Sequence, residues 1–195
     1  ADDAPTRLAA LPVDAGSITV SGVSSGGAMA VQFHSAHSKL VQGLGALAAP
    51  PYLCAEGQMA NALGRCMKDG TAIPIDQLHG QAQALAAKGE IDPVEGLRGD
   101  RVWLYRGAAD PVVHASVVDA LQRYYEPYVG KDALQRIERD GAGHNFPVAA
   151  AGASKCDASE PPYIASCGYD AARALLEHLY GPLAPGTAST ADGDL

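Results

Sequence analysis

Apolar positions along the chain recur with two periods, and the switches between them mark out the expected elements. Ser17 to Ser21 alternates, with Ile18 and Val20 on one face, which predicts a strand that ends in a turn at Gly22. From Gly27 to Leu40 the residues Met29, Ala30, Phe33, His34 and His37 recur at helical spacing. Leu44 to Ala48 is a short apolar run stopped by Pro50-Pro51, which predicts a buried strand. Tyr52 to Pro74 reads as a loop region. Asp76 is placed to cap a helix that runs to Lys88 and stops at Gly89. Arg101 to Tyr105 is the clearest strand. His114 to Tyr128 carries Val117, Leu121, Tyr124 and Tyr128 at spacings of three and four, an amphipathic helix. Ala133 to Glu138 predicts a weaker strand ended by Gly141, and a last helix spans Tyr169 to Tyr180 before Gly181-Pro182.

Strands thus alternate with helices, about four strands in all, and the strands end in glycine-containing turns. That order predicts an α/β fold with a mostly parallel sheet flanked by helices, whose chemistry gathers at the carboxyl ends of the strands. With 195 residues, 47% of them hydrophobic and 18% charged, the chain can bury one real core. Residues 1–183 are expected to form that domain, and 184–195, rich in Gly, Ser, Thr and Asp, a linker or frayed tail. There is no internal repeat and no 18-residue apolar run, so no membrane span is expected. The net charge of −8 argues against a nucleic-acid partner and, more weakly, against a polyanionic substrate.

Four cysteines fall in two close pairs, Cys54 with Cys66 and Cys156 with Cys167, without the C-x-x-C spacing of zinc or redox sites. Two local disulfides are the simplest reading, each closing a short loop; four buried thiols are the alternative. Disulfides imply a secreted or periplasmic protein. The start, Ala-Asp-Asp-Ala-Pro, resembles the mature end left when a signal peptide is removed.

Gly22-Val23-Ser24-Ser25-Gly26 fits G-x-S-x-G and lies between an expected strand and an expected helix. A sharp strand-to-helix turn would raise the Ser24 hydroxyl above the sheet, with Gly22 and Gly26 leaving room for the two elements to approach. The N–H of Ser25 would be one oxyanion donor, while its side chain reads as a helix cap. A serine nucleophile needs a base, and the base an acid to orient it. His144, in a glycine-rich loop after the last strand, is the candidate base, and His114 its main competitor. His34 and His37 stand three apart on a helix, a spacing that only weakly suggests a metal pair; His79 and His178 fall on helices in structural positions. Asp110, just past the carboxyl end of the strand containing Trp103, is the candidate acid; Asp100 precedes that strand and Asp140 reads as a turn residue. The order Ser24, Asp110, His144 is that of α/β-hydrolase triads. Tyr52, Asn145 and Phe146 are the expected substrate contacts. No cofactor or metal is expected.

The stretch Ser17 to Met29, with Val-Ser-Gly-Val-Ser-Ser-Gly-Gly-x-Met, resembles the extracellular poly(3-hydroxybutyrate) depolymerases. Gly107 to Val112, Gly141 to Pro147, and Pro162 to Asp170 do so as well, and the similarity runs from Leu11 to Leu183. The resemblance implies Ser24 as nucleophile, Asp110 as acid and His144 as base in the hydrolysis of a polyhydroxyalkanoate ester through an acyl-enzyme. It also implies the circularly permuted branch, in which strands that usually precede the nucleophile lie at the C-terminus and carry a His-Gly-Cys segment with the second oxyanion donor. This chain holds no such segment. A companion segment, continuous or cleaved, is therefore expected to complete the sheet beside Ile18 and Val20. The same scaffold could cut poly(aspartic acid) or aryl esters, and a catalytically silent binding protein is the reading from another class.

Overall fold

The computed structural model describes residues 14–184, so the readings of the first five residues and of the tail from Pro185 lie outside the described residues. Four parallel strands make the main sheet in chain order: β1 (Val20–Val23), β2 (Gly43–Leu47), β3 (Arg101–Gly107) and β4 (Leu134–Arg139). Parallel neighbours require crossovers. α1 (Ser25–Ala36) joins β1 to β2. α2 (Met59–Leu63) and α3 (Ile75–Ala87) lie between β2 and β3, and α4 (Ala115–Tyr125) joins β3 to β4. After β4 the chain forms three short parallel strands, β5 (Phe146–Val148), β6 (Ser154–Lys155) and β7 (Ile164–Ser166), in the order β5-β7-β6, and ends in α5 (Ala171–Tyr180).

Alternation along the strands divides the core in two. Leu44, Ala46, Val102 and Leu104 pack with Val31 of α1, Leu78 of α3, and Val117, Leu121 and Tyr124 of α4. Leu47, Trp103 and Tyr105 face the other way and meet Ala171, Leu175 and Leu179 of α5. The result is helix, sheet, helix.

Several element bounds differ from those read in the sequence. Ser17 belongs to a 3-10 turn, Ala15–Ser17, capped by the Asp14 carboxylate, so β1 starts later. It then runs through Gly22, because pairing with β2 continues to Val23↔Leu47. The 52–74 region holds α2 and a second 3-10 turn, Gly70–Ala72. α3 begins at Ile75 with Pro74 at its cap; Asp76 sits in the first turn, where a carboxylate favours the helix dipole.

The buried His34 ties three elements together. Its Nε2–H donates to Asp100 (3.0 Å) and its Nδ1 pairs with the Tyr125 hydroxyl (3.0 Å). Both ring nitrogens are committed, so His34 is not a metal ligand, and His37 packs instead against Phe33, ring centroids 4.5 Å apart. His79 and His178 each donate a ring N–H to a backbone carbonyl, of Tyr124 and Ala133.

The close contact between β1 and α1 does not fall on the glycine pair of the motif. A methyl at Gly22 would lie 2.3 Å from the Gly26 carbonyl carbon, and one at Gly27 would lie 2.8 Å from the Gly22 oxygen. One at Gly26 would meet nothing within 4 Å. Gly22 and Gly27 therefore carry the approach, and Gly26 does not. Gly22→Ala is expected to cost about 1–3 kcal/mol by overpacking, whereas Gly26→Ala should be neutral or stabilising by up to ~1 kcal/mol through helix propensity. Urea denaturation midpoints of the two variants check this.

Candidate active site

Ser24 sits where β1 becomes α1, with φ 56° and ψ −121°, outside the regions that a residue with a side chain ordinarily occupies. Its N–H donates to the Leu47 carbonyl (2.8 Å) and its carbonyl accepts from Ala28 (2.8 Å). Strand and helix thus hold the turn from both sides. Ser24 stands at the helix N-cap without using its side chain as a cap, so its hydroxyl is uncommitted. Ser25 is the first helical residue rather than the cap read from the sequence, and its hydroxyl caps nothing. Its N–H has no acceptor among the described residues and lies at the positive end of α1.

Register brings the other groups to the same edge. Val23 pairs with Leu47, Leu47 with Tyr105, and Tyr105 with Ile137, so the four strands end nearly level. Beyond β3 the chain turns at Asp110-Pro111. The buried carboxylate accepts Val112 N–H (2.7 Å) and Val113 N–H (2.9 Å) at Oδ1, and the His144 ring at Oδ2 (2.8 Å). Because an ionised carboxylate only accepts, the His144 proton is on Nδ1 and Nε2 is left with its lone pair. Burial pushes the Asp110 carboxyl up, but the hydrogen bonds from His144, Val113 and Val112 outweigh it, and the pKa lies below the ordinary aspartate value.

The loop bearing His144 is held from behind. Gly143 N–H donates to the Cys156 carbonyl (2.9 Å) and His144 N–H to Ser159 Oγ (2.8 Å). Asn145 Nδ2 donates to the carbonyls of Cys156 and Ala158, both at 2.8 Å. The disulfide Cys156–Cys167 closes the segment that supplies these acceptors.

A cavity of about 630 Å³ opens beside Ser24 and Ser25. Met29, Pro50, Leu53 and Met67 give it apolar walls, the disulfide Cys54–Cys66 lies in its lining, and Val113, next to the Asp110 turn, closes one side. Its one charged lining residue, Glu56, is paired with Arg65 and accepts from Gln77 and Gln81. No hydrogen bond joins the Ser24 hydroxyl to His144; between a serine and its base such bonds are often long before substrate binds.

The structure therefore brings Ser24, Ser25, Asp110 and His144 to one sheet edge. The expected substrate contacts lie outside the cavity. Tyr52 is buried in the core against Tyr124 (centroids 6.4 Å), Asn145 spends its amide hydrogens on loop carbonyls, and Phe146 packs in the second core layer. None of the three lines the cavity. Their neighbours are protein. His114 is exposed at the cap of α4 and makes no bond to Asp110, while Asp100 is engaged with His34 at the opposite sheet edge. Ser159 and Tyr163 were not singled out as site residues from the sequence; the available signals were the cysteine pair that brackets both and, for Tyr163, its place in the stretch Pro162 to Asp170.

No protein-family model matches the chain. It is 41% identical over 181 residues to a poly(3-hydroxybutyrate) depolymerase of Delftia acidovorans, an alignment spanning 92% of this chain and 36% of that protein. It is 31% identical over 195 residues to a polyhydroxybutyrate depolymerase of Talaromyces funiculosus, covering 98% of this chain and 56% of the relative. The crystal structure of PHB depolymerase from Penicillium funiculosum superposes with a TM-score of 0.84 at 30% identity, over 95% of this chain and 57% of that one. A serine-to-alanine form of PHB depolymerase complexed with R3HB trimer matches equally well. The chain is thus a relative of these depolymerases with the α/β-hydrolase fold, and it spans about a third to a little over half of their length.

The low Asp110 pKa has a consequence for stability. A carboxylate whose folded pKa is depressed stabilises fully above its unfolded value, about 3.9, and loses that contribution as pH falls through it toward the lower folded value. The stability gap between the parent protein and Asp110→Asn should therefore be widest at neutral pH and narrow below about pH 4, as measured by urea denaturation across that range.

Proposed function

We propose that this chain carries the nucleophile, acid and base of a serine esterase that hydrolyses a polyhydroxyalkanoate such as poly(3-hydroxybutyrate). The observation that carries the reading is the strained, uncapped Ser24 at the mouth of an apolar cavity, on the same sheet edge as a buried Asp110–His144 pair 2.8 Å apart. Similarity to depolymerases, one of them solved with an R3HB trimer, supports the substrate class.

The chemistry follows from the free positions. His144 Nε2 takes the Ser24 proton as Oγ attacks the ester carbonyl, and Asp110 stabilises the resulting imidazolium. The oxyanion develops against the Ser25 N–H at the helix start. Collapse breaks the ester C–O bond, and the departing oxygen takes the proton from Nε2. Water then gives a proton to Nε2 as its oxygen attacks the acyl–Ser24 carbonyl; collapse breaks the acyl C–Oγ bond, Ser24 Oγ takes the proton back from Nε2, and the acid leaves. An apolar cavity whose one carboxylate is already paired favours a neutral ester over poly(aspartic acid). The two disulfides fit action in a secreted or periplasmic setting, where such bonds persist.

A companion segment outside the described residues belongs to the same reading. β1 pairs only with β2 among the described residues, which leaves its other edge open. The helices on both faces present apolar groups to solvent: Met29 and Phe33 on α1, and Leu176 and Tyr180 on α5. Tyr180 reaches the entry to β1, with its hydroxyl 2.7 Å from Thr19 Oγ1. Further strands would extend this edge and bring the second oxyanion donor.

Ser24→Ala and His144→Ala should each lower kcat by at least about 10⁴-fold, with Ser25→Ala within about tenfold, since its contribution is a main-chain N–H, and His114→Ala near the parent. Hydrolysis of a chromogenic short-chain ester measures all four; an active Ser24→Ala protein would overturn the assignment. Residues 1–195 expressed alone should aggregate, or fall about 10²–10³-fold short in rate for want of one donor. A monomeric, fully active fragment would dispose of the companion segment.

A further inference from the structure

Five residues other than glycine have positive φ among the described residues: Ser24 (56°), Ala48 (49°), Leu53 (56°), Glu56 (47°) and Tyr163 (59°). Left-handed backbone is unfavourable for a residue with a bulky side chain and persists only where the surroundings impose it, which is characteristically at functional sites. Four of the five line the cavity beside Ser24. Tyr163 does not, but its ring meets the His144 imidazole edge-on, with centroids 6.4 Å apart and planes at 84°.

The Tyr163 backbone is fixed on both sides. Its N–H donates to the Glu160 carbonyl (2.9 Å), its carbonyl accepts from Phe146 N–H (2.7 Å), and Cys156–Cys167 closes the loop that carries it. Its side chain belongs to neither core layer and is 43% exposed. Its hydroxyl makes no hydrogen bond among the described residues. The fold thus holds a part-exposed aromatic ring in a strained conformation beside the His144 imidazole, where it serves no core.

The chemistry supplies a use for it. When the tetrahedral intermediate collapses, the departing oxygen must take its proton from His144 Nε2, so the alcohol half of the ester leaves past the imidazole. The cavity lies on the Ser24 and Ser25 side and does not include His144. We propose that Tyr163 is a specificity-determining residue whose ring forms an apolar wall against the departing hydroxyacid half of the ester. The proposal rests on the reading of Ser24 and His144 as nucleophile and base.

Separating the two half-reactions tests it, because the alcohol half is present in acylation and gone in deacylation. The full-length protein would be mixed with (R)-3-hydroxybutyrate trimer in rapid quench, with formation and decay of the acyl-enzyme timed separately. Tyr163→Gly suits the left-handed backbone and removes the ring. It should slow acylation at subsaturating trimer by about three- to tenfold, the worth of one aromatic contact, and leave deacylation unchanged. Tyr163→Phe should match the parent in both steps. Equal loss in both steps would mean that the ring only props His144, and no loss in either would mean that it touches nothing; each overturns the proposal. A parent protein that forms no acyl-enzyme on Ser24 would instead overturn the nucleophile assignment beneath it.

Discussion

Ser24 holds a backbone conformation that costs on the order of 1–3 kcal/mol, and the rest of the sheet is arranged so that it cannot relax. Its N–H is tied to Leu47 on the neighbouring strand, and its carbonyl starts the hydrogen-bond ladder of α1. Gly22 and Gly27 let strand and helix approach until nothing but backbone lies between them. If the turn relaxed, both the β1–β2 pairing and the docking of α1 would have to give. The Ser24 turn is thereby held at the end of β1 by ordinary hydrogen bonds and packing, with its hydroxyl left uncommitted.

The two disulfide-closed segments divide the remaining work. The one joined by Cys54 and Cys66 walls the cavity, and Arg65 fastens it by donating to the Cys54 carbonyl and pairing with Glu56. The one joined by Cys156 and Cys167 supplies the acceptors that hold Gly143, His144 and Asn145. Each is a short segment with no more than five residues in any one helix or strand, too few to hold a shape by periodic packing. Cross-linking limits how far either can stray. Ser24 and His144 thus depend on different supports, the first on the sheet and α1, the second on a stapled loop.

What could be read in the sequence was whatever had a period or a local motif. The four main strands, the helices at 25–36, 75–87, 115–125 and 171–180, and the contexts of Ser24, Asp110 and His144 all carry such signals. The strands β5, β6 and β7 do not, because two or three residues are too few to alternate. Tyr52, Asn145 and Phe146 lie outside the cavity for a different reason. Residue type shows what a side chain can touch, whereas the direction it points is set by strands distant in sequence. Gly27 was overlooked in favour of Gly26 because the motif names the latter, although contact geometry selects the former. Ser159 and Tyr163 meet His144 across a fold-back that only the three-dimensional chain reveals.

The sheet is laid down in chain order, and its two faces are not covered at the same time. α1, α3 and α4 arrive between the strands and seal one face as the sheet grows. The opposite face, with Leu47, Trp103 and Tyr105, waits for Leu175 and Leu179 near the end of the described chain. During vectorial synthesis, which proceeds at about 5–20 residues per second, an aromatic surface therefore stays bare through most of the chain's emergence. Cys54 and Cys66 are likewise made before Cys156 and Cys167. The half that bears Ser24 can thus be stapled while the half that bears His144 is still without its disulfide.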